Sequence, residues 1–215
     1  MNTTLLLVLV PWAAFLALAG AVRMAGVLPG DEWVRQLVLA HATPAVVALM
    51  HWINLVGNWR VLVPATPLLL LLPRTRRHWW VWLLVLLAAP SLEYLLKPVI
   101  GRLRPESPAF GFPSGHATAS AAYLTALAYA AGDLSPLGRR LVRAGAACMI
   151  VLVGLARIVL HAHWPSDVLG GIALGLGCAG VAIFISSSTD RSPAGSTSPA
   201  PPSRDGPSRT PPGPG

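Results

Sequence analysis

Apolar residues along this 215-residue chain fall in long unbroken runs, without the short alternations of half-buried strands. Crossing a hydrocarbon core of about 30 Å takes roughly 20 apolar residues in a helix. Six stretches approach that length: Thr4 to Val22, Pro44 to Leu72, Trp79 to Ile100, Pro113 to Ala131, Leu141 to Leu160 and Pro165 to Ile185. They predict an all-α, polytopic membrane helix bundle of about six transmembrane helices over residues 1–185. The first stretch ends in Ala19-Gly20-Ala21, as a cleaved leader does, but no Lys or Arg precedes it. It therefore reads as an uncleaved span. The second is interrupted by His51, Asn54, Asn58 and Arg60, which suggests an interfacial entry. Trp79, Trp80 and Trp82 fit an aromatic belt at the start of the third.

Two polar regions frame these runs. Val22 to Thr43 is a connection carrying Arg23, Asp31, Glu32 and Arg35. From Ser186 to Gly215 the chain holds eight Pro, much Ser and Gly, and no large apolar residue. Such a segment buries too little surface to offset its ordering entropy, so 186–215 is expected to be a disordered cytoplasmic tail without chemistry.

Composition agrees with a membrane chain. It is 54% hydrophobic and 11% charged, against about 25% charged for a soluble domain. The net charge of +8 comes from fifteen Arg and one Lys against eight acids. On a soluble protein that balance would suggest nucleic acid as a partner. Here the Arg cluster in short loops between spans, which points to no nucleic acid and to the lipid bilayer instead. Six spans put both termini on one side with Arg74, Arg76, Arg77, Arg139, Arg140 and Arg143. The positive-inside rule then makes that side cytoplasmic. Cys148 and Cys178 lie in apolar runs and read as small core residues.

Helix parity brings three polar segments to the opposite, extracytoplasmic face. They are Lys97 to Pro105 with Arg102 and Arg104, Pro113-Ser114-Gly115-His116, and Arg157 to Asp167 with His163. Lys97, Arg104 and Arg157 are three cations with Asp167 as the nearby acid, a set suited to a dianion. Ser114 and Gly115 open a helix, where free amides bind anions, and Gly115 would admit close backbone approach. Together they make a cradle for phosphate and for the charge of its transition state. His163, four residues before Asp167, has the spacing of a nucleophile and its orienting carboxylate. His116 is placed to protonate a leaving oxygen and later to activate water. The set has no carboxylate cluster and no metal-ligand spacing, so neither a metal nor another cofactor is expected.

Lys-x6-Arg-Pro, Pro-Ser-Gly-His and Arg-x5-His-x3-Asp, in that order, resemble the three motifs of the type 2 phosphatidic acid phosphatase family, membrane relatives of the vanadium haloperoxidases. The motifs cover Lys97 to Asp167, and the span layout extends the likeness over residues 1–185. The resemblance implies a phosphohistidine on His163, supported by Asp167, with His116 as general acid. It implies phosphate binding by Lys97, Arg104, Ser114, Gly115 and Arg157. Its third motif often begins Ser-Arg, and Ala156 here removes that hydroxyl. The expected function is a metal-independent lipid phosphatase acting on a phosphate monoester or diphosphate, first of all an undecaprenyl diphosphate-like isoprenoid or a phosphatidate-type lipid.

Other readings stay open on sequence alone. A lipid phosphotransferase would use the same residues, and a non-catalytic anion- or lipid-binding membrane protein would need only the cradle. A vanadate-dependent haloperoxidase is disfavoured by the burial of the whole chain in lipid. Lys97 and Arg104 also suit headgroup contact at a helix end. Glu93, four residues before Lys97, is read as its helical ion-pair partner. Arg102 is assigned to headgroups or substrate, and His161 to polar lining. Gly171 and Gly175 form a small-xxx-small face for helix packing.

Overall fold

The computed structural model describes residues 3–189. The elements are helices, joined by short loops and one small ribbon. Helix α1 covers Thr3–Ala25, α2 Asp31–Leu39, α3 Pro44–Asn54, α4 Trp59–Leu71, α5 Pro73–Arg76 and α6 Trp79–Ile100. The ribbon pairs β1, Leu103–Arg104, antiparallel with β2, Ser107–Phe110. Helix α7 follows over Gly115–Ala130, α8 over Pro136–Val159 and α9 over Pro165–Thr189.

The chain is an all-helical integral membrane protein. Among the described residues α1, α6, α8 and α9 are long and apolar enough to cross a membrane, or five spans if α2 and α3, bent by 115°, are one. The expected six are not reached by this measure. Every predicted stretch is helical, but α7 has 16 residues and the stretch from Pro44 to Leu72 is broken. A tight turn at Leu55–Gly57 ends α3, and Asn58 restarts the chain by accepting the Arg60 amide at 2.9 Å. An Asn at that position satisfies a backbone donor that lipid could not, which explains a break inside an apolar run. The polar connection contains a helix, α2. At the other end α9 runs four residues past the expected boundary, through Ser186, Ser187, Ser188 and Thr189. Ser188 and Thr189 return their hydroxyls to the carbonyls four residues back, at 2.8 and 3.0 Å. The rest of the expected tail, 190–215, lies outside the described residues.

Helix α9 is the centre of the bundle, with α1 and α7 against it. Its glycines allow the approach. A Cβ added at Gly175 would lie 2.3 Å from the Thr118 carbonyl oxygen, and one at Gly180 2.2 Å from that of Leu7. At Gly171 it would lie 2.5 Å from the Ser114 carbonyl. The face expected from Gly171 and Gly175 is therefore a backbone-to-backbone contact with α7, the way helices associate where lipid supplies no hydrophobic drive. Beside it Phe15 stacks on Phe112 at 6.0 Å, and the buried Trp82 meets Tyr129 at 5.0 Å. Large apolar side chains such as Leu16, Leu68 and Leu141 point outward, as lipid-facing residues should.

The two ends of the bundle differ. At one end Arg74 lies over the Tyr129 ring at 4.7 Å and reaches Asp133 at 3.9 Å. That joins α5 to the turn between α7 and α8. The other end gathers the chemistry.

Candidate active site

Five junctions meet at that end: the N-terminus of α2, the α3–α4 corner, the end of α6 with its ribbon, the start of α7, and the loop from α8 to α9. The last of these holds His163, which is 1% exposed in spite of its loop position. The Nδ1 of His163 stands 3.4 Å from Oδ2 of Asp167, and the same oxygen accepts the Trp164 amide at 3.0 Å. With Nδ1 turned to the carboxylate, Nε2 is the ring nitrogen left for an electrophile. Burial pushes the His163 imidazole down to about 4, although the hydrogen bond and charge of Asp167 oppose it. A neutral ring at neutral pH is what nucleophilic attack requires.

The start of α7 is tied to the same loop. Ser114 donates its amide to the Asp167 carbonyl at 3.0 Å, so this amide is committed and not free for an anion. Its hydroxyl Oγ is buried and unpartnered, and the first-turn amides of the helix follow. His116 has a buried, unpartnered Nε2 and lies within electrostatic reach of Arg157, His163, Lys97 and Arg104. Arg157 donates to Asn54 at 2.8 Å while its Nε has no partner. Asn54, on α3, reads in the sequence only as one of four polar residues interrupting an apolar run, since nothing in the spacing links it to Arg157.

All eight expected site residues converge on this end of the bundle. Lys97 pairs with Glu93, as the spacing suggested. Arg104 is half-buried and donates from Nε to the Phe110 carbonyl at 3.3 Å, within its own ribbon. Gly115 differs in detail from the expectation. The Glu93 carboxylate packs there, and a Cβ at Gly115 would come within 2.8 Å of its Oε1. Buried polar atoms without partners are rare. Ser114 Oγ, His116 Nε2 and Arg157 Nε, clustered among three cations, form a slot with donors for an oxyanion.

Two residues depart from their expected places. Arg102 is buried and does not face headgroups. Its Nη2 bonds Asp31 at 2.6 Å, and its Nη1 lies 3.3 Å from Asp167 Oδ1. His161 belongs to an exposed cluster in which its Nδ1 lies 2.7 Å from Glu106, and Glu106 also pairs with Arg35. The hydrogen bond from His161 holds the Glu106 carboxyl below the usual carboxylate range. Among the described residues no three His, Cys, Asp or Glu side chains converge to hold a metal ion.

Comparison with known proteins bears on this arrangement. Residues 106–189 match the model of the PAP2 superfamily. Phosphatidylglycerophosphatase B of Bacillus subtilis is 31% identical over 174 residues, which is 75% of this chain and 86% of that one. The chain belongs to the PAP2 superfamily. It is a membrane lipid phosphatase, a hydrolase of the PAP2 type. Decaprenylphosphoryl-5-phosphoribose phosphatase of Mycobacterium tuberculosis is 33% identical over 48% of this chain and 59% of its own length. The crystal structure of a transmembrane PAP2-type phosphatidylglycerolphosphate phosphatase from Bacillus subtilis superposes with a TM-score of 0.77 at 27% identity. It covers 86% of this chain and 98% of that one. Aquifex aeolicus LpxE shares the fold, with a TM-score of 0.63 at 19% identity over 74% of this chain and 98% of that one.

Proposed function

We propose that this PAP2 phosphatase acts without a metal, through a phosphohistidine on His163. Nε2 of His163 attacks the phosphorus, the P–O bond to the lipid breaks, and His116 gives its proton to the departing oxygen. His116 then takes a proton from water, which attacks the phosphohistidine, releases inorganic phosphate and restores the imidazole. Asp167 fixes the ring through Nδ1 and balances the charge that develops on it. Lys97, Arg104, Ser114, Gly115 and Arg157 hold the phosphoryl oxygens. The observation that carries this reading is the pairing of His163 with Asp167 beside a slot of unpartnered donors.

The substrate in this reading is a membrane lipid bearing a terminal phosphate, of phosphatidylglycerophosphate or phosphatidate type. The Bacillus subtilis relative, matched over 86% of its length, supports it. An isoprenoid diphosphate, the first expectation from the sequence, is the second reading; its isoprenoid part is favoured by the decaprenyl-linked substrate named for the Mycobacterium tuberculosis relative. The site faces the extracytoplasmic side of a bacterial plasma membrane, since the Arg clusters near Arg74 and Arg139 lie at the other end.

The test is phosphate release from a panel of both lipid classes by detergent-solubilised protein, with EDTA and with His163→Ala. Loss of turnover in the variant and none with EDTA supports the mechanism, and turnover kept by His163→Ala overturns it. Transfer of labelled phosphate to an alcohol in preference to water would assign a phosphotransferase.

A further inference from the structure

Asp167 is fully buried, and Oδ2 is the oxygen it gives to His163 and Trp164. A carboxylate in such a place needs a counter-charge. The cation facing its other oxygen is Arg102, with Nη1 3.3 Å from Oδ1. The angle is poor for a hydrogen bond, so the contact is one of charge.

Arg102 is not shared equally. Its Nη2 bonds Asp31 at 2.6 Å, and its Nη1 also donates to Ser166 Oγ. Asp31 in turn accepts the Ser166 amide at 2.9 Å, the Ser166 hydroxyl at 2.8 Å and the Leu28 amide at 3.0 Å. One guanidinium thus stands between two carboxylates and lies closer to Asp31 than to Asp167. Asp31 reaches this guanidinium from the N-terminus of α2, 135 residues before Ser166 in the chain.

We propose that Arg102 and Asp31 are positioning residues for the His163–Asp167 pair, with Arg102 supplying the counter-charge of Asp167 and Asp31 setting how much of that cation Asp167 feels. The proposal rests on His163 being the nucleophile. Besides this pair, the charges around His163 are Arg104 and Arg157, with His116 on α7 facing it. The Arg35–Glu106–His161 cluster lies outside it on the exposed side.

The two residues carry opposite charge, so their neutral variants should move the reaction in opposite directions. Arg102→Gln leaves Asp167 uncompensated and strengthens its pull on the imidazolium, shifting the acid limb of kcat/KM to higher pH. Asp31→Asn turns the full guanidinium charge on Asp167 and shifts that limb to lower pH. Both should lower kcat, on the order of 100-fold for Arg102→Gln, with KM nearly unchanged. Arg102→Lys, which keeps the charge but not the fork, should restore the limb and only part of kcat. Vanadate inhibition of each purified variant reports that the cradle is still folded.

Acid-sensitive, base-stable labelling of wild-type protein by a 32P-lipid is measured first, and its absence overturns the nucleophile assignment itself. If wild type labels and both variants shift the limb the same way, or leave kcat and the limb unchanged, the positioning role is wrong. A variant that loses vanadate binding is replaced by Arg102→Lys and Asp31→Glu, and unchanged kcat in both overturns the proposal equally.

Discussion

Gly57 lies directly against His116. A methyl group on Gly57 would stand 2.8 Å from the His116 carbonyl oxygen and 3.0 Å from its Cβ. The α3–α4 corner therefore forms a wall that sets the position of the proposed general acid. Gly57→Ala has no room without moving the first turn of α7, and a displacement of several tenths of an ångström is costly for proton transfer. Turnover should fall about tenfold or more while affinity for the lipid, held elsewhere, changes little. A steady-state comparison of kcat and KM checks this, and an unchanged kcat would show that the wall is passive.

The pH profile should carry the mark of a buried imidazole. His163 sits in the loop between α8 and α9 with its value pushed from 6.5 down to about 4, chiefly by burial. Activity, corrected for the second ionisation of the substrate phosphate near about 6, should persist through pH 5 and fall toward about 4. An acid limb at the ordinary histidine value would contradict the burial. The same shift predicts a stability trend. Between about 4 and 6.5 the unfolded chain holds more of this proton than the folded one, so folding stability rises with pH across that window. Thermal melts in detergent from pH 4 to 7 read it directly.

Glu93 should restrain phosphate binding. Its carboxylate pairs with Lys97 and packs on Gly115, at the edge of the slot. Glu93→Gln removes a charge that competes with the substrate dianion for the ammonium. Inhibition by inorganic phosphate should tighten by roughly three- to tenfold, the size of an ion pair worth about 1 kcal/mol. Weaker inhibition would mean that Glu93 serves mainly to orient Lys97.

The glycine seam of α9 should govern stability more than chemistry. At Gly175 an added Cβ would sit 2.3 Å from a backbone oxygen of α7 and 2.8 Å from the Ala121 side chain. Gly175→Leu must push the helices apart and should cost about 1–3 kcal/mol or more. A conservative helix former elsewhere offers the control. A methyl group on Gly145 would meet nothing within 4 Å, so Gly145→Ala should be neutral or slightly stabilising. Melting of both variants in one detergent separates the two outcomes.

Much of this was readable in the residues themselves. The cradle and the His163–Asp167 pair sit in three short segments whose spacing is covalent, so their proximity followed once the helix ends were aligned. Long-range partners were another matter. Asp31 joins Arg102 across 71 positions and Asn54 joins Arg157 across 103, with no periodicity to announce either. Arg102 looked like a headgroup residue because burial of a guanidinium is visible only when both carboxylates are in place. The polar residues His51, Asn54, Asn58 and Arg60 show that the second stretch is interrupted, but read as an interfacial entry to one span and not as a corner between two helices.

Helix α9 supplies Asp167 and, through Gly171, Gly175 and Gly180, the surface on which α7 and α1 settle. It is also the last described helix to leave the ribosome. Until it arrives, Lys97, Arg102, Arg104 and Arg157 are a group of cations without the acid that organises them, and Asp31 has no Ser166 to bind. In the proposed mechanism a chain that stops before α9 therefore lacks both the carboxylate that orients His163 and the surface on which α7 packs.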